Sequence, residues 1–270
     1  MKSYKNLYDK LISEENRKAG IKRAKKSKRV RKIILSKGYS DEYLLEKSKE
    51  WIINYHNSKH YPKTIYDGIS RKKRVILVPT IEELIVQHCL INILEPIFLK
   101  GMYEHSYASI PGRGAHKGKK VIEKWIRHGG KNCKYCLKMD IKQYFDSIQH
   151  RKLKSLFMVK INDPYVLNLI FDIIDVNARG LPLGFYTSQW FSNWYLQEID
   201  HYIKEELKAK YYIRYMDDMV IIGPSKRKLH KMRKQIPGGR GRGQRFKASA
   251  VVKGKDRAEE RQGRGRDAGA

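Results

Sequence analysis

The chain has 270 residues, with 58 Lys and Arg against 28 Asp and Glu and a formal net charge of +30. That length allows a sizeable core in one or two domains, and that charge far exceeds what solubility needs. It points to a polyanion, because Lys and Arg that neutralise phosphates release counterions, and it disfavours a membrane surface or an acidic protein as partner.

No run of eighteen apolar residues occurs, so no bilayer span is expected. Three cysteines give no disulfide framework. The N-terminus shows no apolar core ahead of a small-residue cleavage site. The expectation is a cytoplasmic protein.

Residues 4 to 35 read as helical, with a dense basic stretch from Arg17 to Lys32. That stretch is either a backbone-binding arm or a solvated helix face. A second helix covers 41 to 56, with Ser40 as N-cap and Trp51 and Ile52 facing inward. Between Arg71 and Thr80 a basic cluster runs into a β-branched strand that Pro79 ends. Thr80 and Glu83 form a capping box for an amphipathic helix over 80 to 100, with its end expected near Pro96. His88 reads as a packed helix residue.

The loop from Ser106 to His116 is rich in turn residues, and its amides could cradle a phosphate with help from Arg113. A helix follows to about His128. Residues 135 to 141 read as a short buried strand with Asp140 at its end. A helical segment covers 151 to 176. Gly180, Pro182 and Gly184 then make a tight loop, ahead of a long amphipathic helix to about Lys208.

Two apolar, β-rich runs from Tyr211 to Gly223 flank the adjacent Asp217 and Asp218, the pattern of a β-hairpin. By itself this is an ordinary acidic surface turn. With Asp140 at a second strand end, it becomes a candidate site for two ions roughly 4 Å apart. Clustered hard oxygen ligands suit Mg²⁺, which takes its remaining ligands from water and substrate phosphates.

Tyr-Met-Asp-Asp at 215–218, downstream of Asp-x-x-x-x-Phe-Asp at 140–146, resembles the palm motifs of reverse transcriptases. The resemblance implies an α+β right-hand polymerase with N-terminal basic helices and fingers over 1–130 and an antiparallel palm over 131–236. It implies RNA-directed DNA synthesis on an RNA template from a DNA or RNA primer, with dNTPs as substrates. Asp140, Asp217 and Asp218 are then the catalytic ligands of two Mg²⁺, with the backbone carbonyl of Ile141 as a further ligand. Arg74, and after it Lys72, would grip the triphosphate with charge-assisted hydrogen bonds, general nucleic-acid contact being the alternative. Phe145 would lie under the incoming sugar and exclude a 2′-hydroxyl, or else be ordinary core. Leu183, Gly184 and Gln189 would flank the nascent base pair, and Arg113, Tyr215 and Met216 would contact nucleic acid.

The loop Leu183-Gly-Phe-Tyr-Thr-Ser-Gln189 separates subfamilies. Group II intron and retron enzymes usually read Pro-Gln-Gly-x-x-x-Ser-Pro there. An aliphatic residue before the glycine, with Ser-Gln at the end, resembles the bacterial or phage-encoded reverse transcriptases of diversity-generating retroelements. That implies error-prone copying at template adenines, a structured RNA and a small basic accessory protein. The alternatives are a group II intron-like or phage-defence enzyme, and a non-catalytic nucleic-acid-binding fragment.

After Ile236 the composition shifts to glycine, arginine and alanine, with ten Lys and Arg against four Asp and Glu. Subtracting that excess of six from +30 leaves +24 on residues 1–236. The segment 237–270 reads as disordered, either an RNA-binding Arg-Gly tail or the product of a lost reading frame. The primer-gripping hairpin and the thumb are expected to be missing or truncated.

Overall fold

Four helices come first, α1 (Leu7–Ile12), α2 (Glu14–Ala24), α3 (Lys28–Ser36) and α4 (Asp41–Ile53). A hairpin of β1 (Pro62–Asp67) and β2 (Lys72–Leu77) and the long helix α5 (Ile81–Gly101) follow. The computed structural model describes residues 3–56, 58, 60–68, 71–236 and 246–253; the side chains of Asp67, Lys72 and 246–253 lie outside that description. Contacts divide the chain into two discontinuous units, Met1–Met102 with Gln143–Gln197, and Tyr103–Lys142 with Glu198–Ala270. The chain passes between these units after residues 102, 142 and 197.

Helix α5 is the axis of the first unit. It begins at the expected capping box: the Glu83 N–H donates to the Thr80 hydroxyl, and the Thr80 N–H donates to the Glu83 carboxylate. His60 bonds the same carboxylate at 2.8 Å, and the Ser58 N–H donates to it at 3.1 Å. Ile85, Val86, Leu90, Ile91 and Leu94 are fully buried, and α5 packs against α1, α2, α3 and α4. By length and composition it is the one helix among the described residues that could cross a membrane; its apolar surface is spent on this core. The Asn16 amide ties α2 to α5, donating to the carbonyl of Cys89 at 3.1 Å and accepting from Asn92 at 3.0 Å.

Pro96 lies inside α5 and does not end it. A mid-helix proline costs about 3 kcal/mol, but the turn after it carries Ile97 and Phe98, both buried. Two such side chains return about 1.5–3 kcal/mol each. Phe98 also stacks on Trp190 and meets Phe157 and Phe191 edge-on.

The rest of the first unit comprises α7 (Tyr144–Ser147), α8 (His150–Lys160), α9 (Pro164–Ile174) and α10 (Tyr186–Tyr195). The segment 151–176 is two helices where one was expected. Asp163 precedes a proline, which disfavours helical backbone, and its Oδ1 caps α9 by accepting from the Val166 N–H. Its Oδ2 accepts from the N–H groups of Leu7 and Tyr8 at 2.8 and 2.9 Å. One carboxylate thus satisfies the starts of two helices, and Asn6 gives α1 no side-chain cap of its own.

The second unit holds a four-stranded antiparallel sheet in the order β4-β5-β3-β6. Its strands are β3 (Tyr135–Ile141), β4 (Tyr211–Tyr215), β5 (Asp218–Gly223) and β6 (Phe246–Lys253). Helix α6 (Ala115–Gly129) packs on β4, and α12 (Lys226–Gln235) packs on β5 and β3. The long helix expected to run to Lys208 stops at Tyr195; a short α11 (Gln197–His201) and a π-helical turn (Tyr202–Glu206) follow.

The tail expected to be disordered supplies β6, which pairs with β3 from Tyr135↔Lys253 to Ile141↔Phe246. These eight residues contain no Gly or Pro, include Phe246, Val251 and Val252, and meet an edge of β3 that offers unpaired backbone groups. Residues 237–245 and 254–270 lie outside the described residues, as does whatever the tail reading implies for them.

Gly180 has φ 69°, and a Cβ there would stand 2.3 Å from the Phe145 carbonyl oxygen and 2.5 Å from the Asp146 Cα. Both obstacles are backbone. Gly180→Ala is therefore expected to destabilise the protein by about 2 kcal/mol or more, read as a lowered denaturant midpoint with an unchanged slope.

Candidate active site

Strands β4 and β5 are joined by only two residues, Met216 and Asp217, with Tyr215 and Asp218 facing each other across the hairpin. Met216 has φ 55°. Tight hairpin turns need positive φ at this first central position and usually place glycine there. On the other side of β5, Met139 is in register with Met219. The next residue on β3 is Asp140 and the preceding one on β5 is Asp218. The same register therefore brings these two acids to the ends of neighbouring central strands, where facing Cβ atoms lie about 4.5–5.5 Å apart.

Side chains alternate along each strand. Leu137, Met139, Ile141, Tyr212, Arg214, Met219 and Ile221 fall on one face, each at most 2% exposed. Lys138, Asp140, Tyr215 and Asp218 fall on the other. The fold thus delivers acidic groups to the open side of a sheet whose reverse is fully packed. Tyr215 is exposed, and Met216, Asp217 and Asp218 are half-buried.

Asp140 Oδ1 is shielded from solvent and has no hydrogen-bond partner. A buried carboxylate oxygen in that condition is costly unless a cation or donor reaches it. Asp218 Oδ1 instead lies 3.1 Å from Lys138 Nζ. Among the described residues no three His, Cys, Asp or Glu side chains already converge as a metal cluster. The strand register sets Asp140 and Asp218 at neighbouring strand ends, with Asp217 in the adjoining turn, while the Asp218 side chain is turned to a lysine. An ammonium at that distance attracts the carboxylate. The donors fit Mg²⁺ in kind, being hard oxygens with one orphaned and buried. Ile141, the candidate backbone ligand, is buried and in register with Phe246.

Beneath the turn lies a charged pair that sequence reasoning missed. The side chains of Arg214 and Asp200 are both 0% exposed and 2.7 Å apart. Lys138 was missed as well. The available signal was period: Arg214 occupies a core-facing position in an apolar strand, where a charge requires a partner.

Arg113 Nη1 donates to the carbonyls of Tyr103 and Ser106 at 2.7 and 3.1 Å. It closes its own loop, whose neighbour Tyr107 joins the edge of β4 by donating its N–H to the Arg214 carbonyl. Phosphate contact by Arg113 would have to share that arrangement.

In the first unit the sequence-selected residues form a second group. The Leu77 N–H donates to the Leu183 carbonyl at 2.7 Å, so the end of β2 is tied to the glycine-rich loop. A Cβ on Gly184 would lie 2.2 Å from the Leu77 carbonyl oxygen, and φ there is 109°. Only glycine allows this approach. The Leu181 N–H donates to the Phe145 carbonyl at 3.0 Å, which brings Phe145 to the start of the same loop. Phe145, Leu183 and Gln189 are half-buried, Gly184 and Arg74 are exposed, and Arg74 faces Ile65 across the hairpin. The Lys72 side chain lies outside the described residues. Tyr144, by contrast, is core: its hydroxyl donates to the Ser192 carbonyl at 2.6 Å.

An antiparallel sheet with acidic residues at two central strand ends and helices against it is the palm of a nucleic-acid polymerase. The chain belongs to the reverse transcriptase family: the family profile for reverse transcriptase (RNA-dependent DNA polymerase) matches residues 59–238. It is 28% identical over 212 residues to the group II intron-encoded protein LtrA of Lactococcus lactis subsp. cremoris, covering 73% of this chain and 34% of that protein. It is 26% identical over 204 residues to the retron Ec73 reverse transcriptase of Escherichia coli, covering 70% of this chain and 58% of that one. The chain therefore spans about a third to three-fifths of these relatives. The fold is similar to that of a Candida tropicalis telomerase solved with a TWJ fragment of telomeric RNA, with a TM-score of 0.54, 14% identity, and coverage of 80% of this chain and 45% of that one.

Lys138 and Asp218 are each about half exposed, so their pairing is worth at most about 1 kcal/mol. Lys138→Gln is expected to leave the melting temperature nearly unchanged and to tighten Mn²⁺ binding about two- to fivefold, followed by electron paramagnetic resonance titration.

Proposed function

We propose that this chain forms the fingers and palm of an RNA-directed DNA polymerase that adds deoxynucleotides to a primer on an RNA template. The observation that carries this reading is the register of β3 on β5, which brings Asp140 beside Asp218 with an unpartnered oxygen on Asp140. Asp140, Asp217 and Asp218 would hold Mg²⁺. When bound, the metal activates the primer 3′-hydroxyl and stabilises charge on the phosphate under attack. The residues themselves supply a rigid mount: neighbouring strand ends leave the carboxylates little freedom, and the packed reverse face resists their recoil. Arg74, with Lys72, would neutralise the triphosphate, and Phe145 would bound the sugar. The basic excess on residues 1–236 would hold template and primer.

Primer extension tests this reading. Asp140→Asn and Asp217→Asn are each expected to cut the rate by about a hundredfold or more while retaining the circular dichroism of the parent. Binding of template-primer without extension by the parent chain would favour a nucleic-acid-binding fragment.

Within the family, the diversity-generating type is supported by Leu183 and Gly184 in the loop that β2 grips, and by Ser188 and Gln189 in the first turns of α10. An aliphatic Leu183 makes no side-chain hydrogen bond to a base or sugar, so discrimination that depends on fixed polar contacts is relaxed. This role carries with it a structured RNA, a small basic accessory protein and a cytoplasmic location in a bacterium. The second reading, a group II intron-like or retron-like enzyme, is supported by the similarity to LtrA and the retron enzyme. Leu183→Gln separates them: misincorporation opposite template adenine should fall in sequenced cDNA, and an unchanged spectrum favours the second reading.

A further inference from the structure

The turn that carries Asp217 is held by a network that takes no part in the proposed chemistry. Arg214 Nε donates to both oxygens of Asp200, at 2.8 and 3.0 Å, and Nη2 donates to Oδ2 at 2.7 Å. The Tyr212 hydroxyl donates to Asp200 Oδ1 at 2.7 Å. The main chain of Arg214 is fixed too: its N–H donates to the His105 carbonyl, and its carbonyl accepts from Tyr107, both at 3.0 Å. With its base held in this way, the guanidinium extends Nη1 to the carbonyl oxygen of Met216 at 3.0 Å.

Stability alone does not call for such an arrangement. Fully buried ion pairs are often replaced by apolar side chains without loss, because desolvation offsets the attraction. Met216, however, adopts a left-handed conformation that a residue other than glycine resists. The bond from Nη1 to that same residue opposes relaxation of the turn.

We propose that Arg214, oriented by Asp200, is a positioning residue for the metal-binding carboxylates. It holds the Met216 carbonyl, and through it the turn that sets where Asp217 and Asp218 point. It acts through the turn, not on nucleotide or metal. The proposal rests on the reading of Asp140, Asp217 and Asp218 as divalent-cation ligands.

Mn²⁺ titration of the full chain by electron paramagnetic resonance, with thermal melts alongside, tests it. The parent should bind Mn²⁺ and Asp217→Asn should weaken that binding. Arg214→Lys keeps a cation beside Asp200 but loses the forked reach to Met216. Its Mn²⁺ affinity should fall about tenfold, the scale of one charge-assisted hydrogen bond. The paired apolar change Arg214→Met with Asp200→Leu should do the same while keeping the cooperative melt. Adding Met216→Gly to Arg214→Lys should restore affinity, because glycine takes the left-handed turn unaided; a merely structural arginine would show no such rescue. Parent-like affinity in both Arg214 variants overturns the proposal. So does unfolding of Arg214→Lys that Met216→Gly fails to correct. Absence of Mn²⁺ binding by the parent, with Asp217→Asn no different, overturns the cation-ligand reading and the proposal with it.

Discussion

Register between neighbouring strands is the constraint on which the palm depends. The hydrogen-bond ladders of β3, β5 and β4 set where Asp140, Asp217 and Asp218 leave the backbone. A ladder fixes register, and register in an antiparallel sheet decides which side chains stand opposite and on which face. A slip of one residue would turn Asp140 into the core and Met139 to solvent. The fully buried Leu137, Met139, Met219 and Ile221 on the reverse face make such a slip costly. Apolar burial on one side thus fixes which acidic residues stand on the other, where Lys138 pairs with Asp218.

The first unit solves a different problem, the assembly of helices that are individually weak. Several are short, and α1 has only six residues, well below the length at which an isolated helix is stable in water. Packing on α5 supplies the missing stability, and single polar side chains supply orientation. Asn16 bonds across to α5, Asp163 caps two helix starts, and Glu83 serves both a capping box and His60. The glycine-rich loop after Arg179 is set the same way. Gly180 passes against the backbone of Phe145 and Asp146, and Gly184 passes against Leu77. The residues proposed to meet the nucleotide in this unit are therefore mounted on backbone contacts, which do not drift as side chains do.

Much of this is legible in the sequence. The β3 strand, the hairpin around Asp217, the cap at Thr80 and the loop at Gly180 follow from local rules of alternation, capping and turn chemistry. Two misreadings come from contacts distant in the chain. Pro96 was expected to end α5, but the aromatic cluster around Phe98 outweighs it. The tail was expected to lack structure, but residues 246–253 find a free edge of β3. One helix was expected where Asp163 and Pro164 divide two, a break that cap and proline signal locally; only the second role of Asp163, capping α1 from a position 156 residues away, is invisible in a local window. Strand β1 escaped notice because it alternates poorly and exists as the partner of β2.

The order of residues alone determined the acidic motif, its family resemblance and the basic excess that points to nucleic acid. These are properties of composition and short spacing, which no packing can alter. Tertiary structure decided that Asp140 lies beside Asp218, that Lys138 neutralises it, and that Arg214 and Asp200 meet in the core beneath the turn. Each of these joins residues distant in the chain, and such pairings are chosen by burial and backbone hydrogen bonding across strands, which nearest neighbours in sequence do not encode.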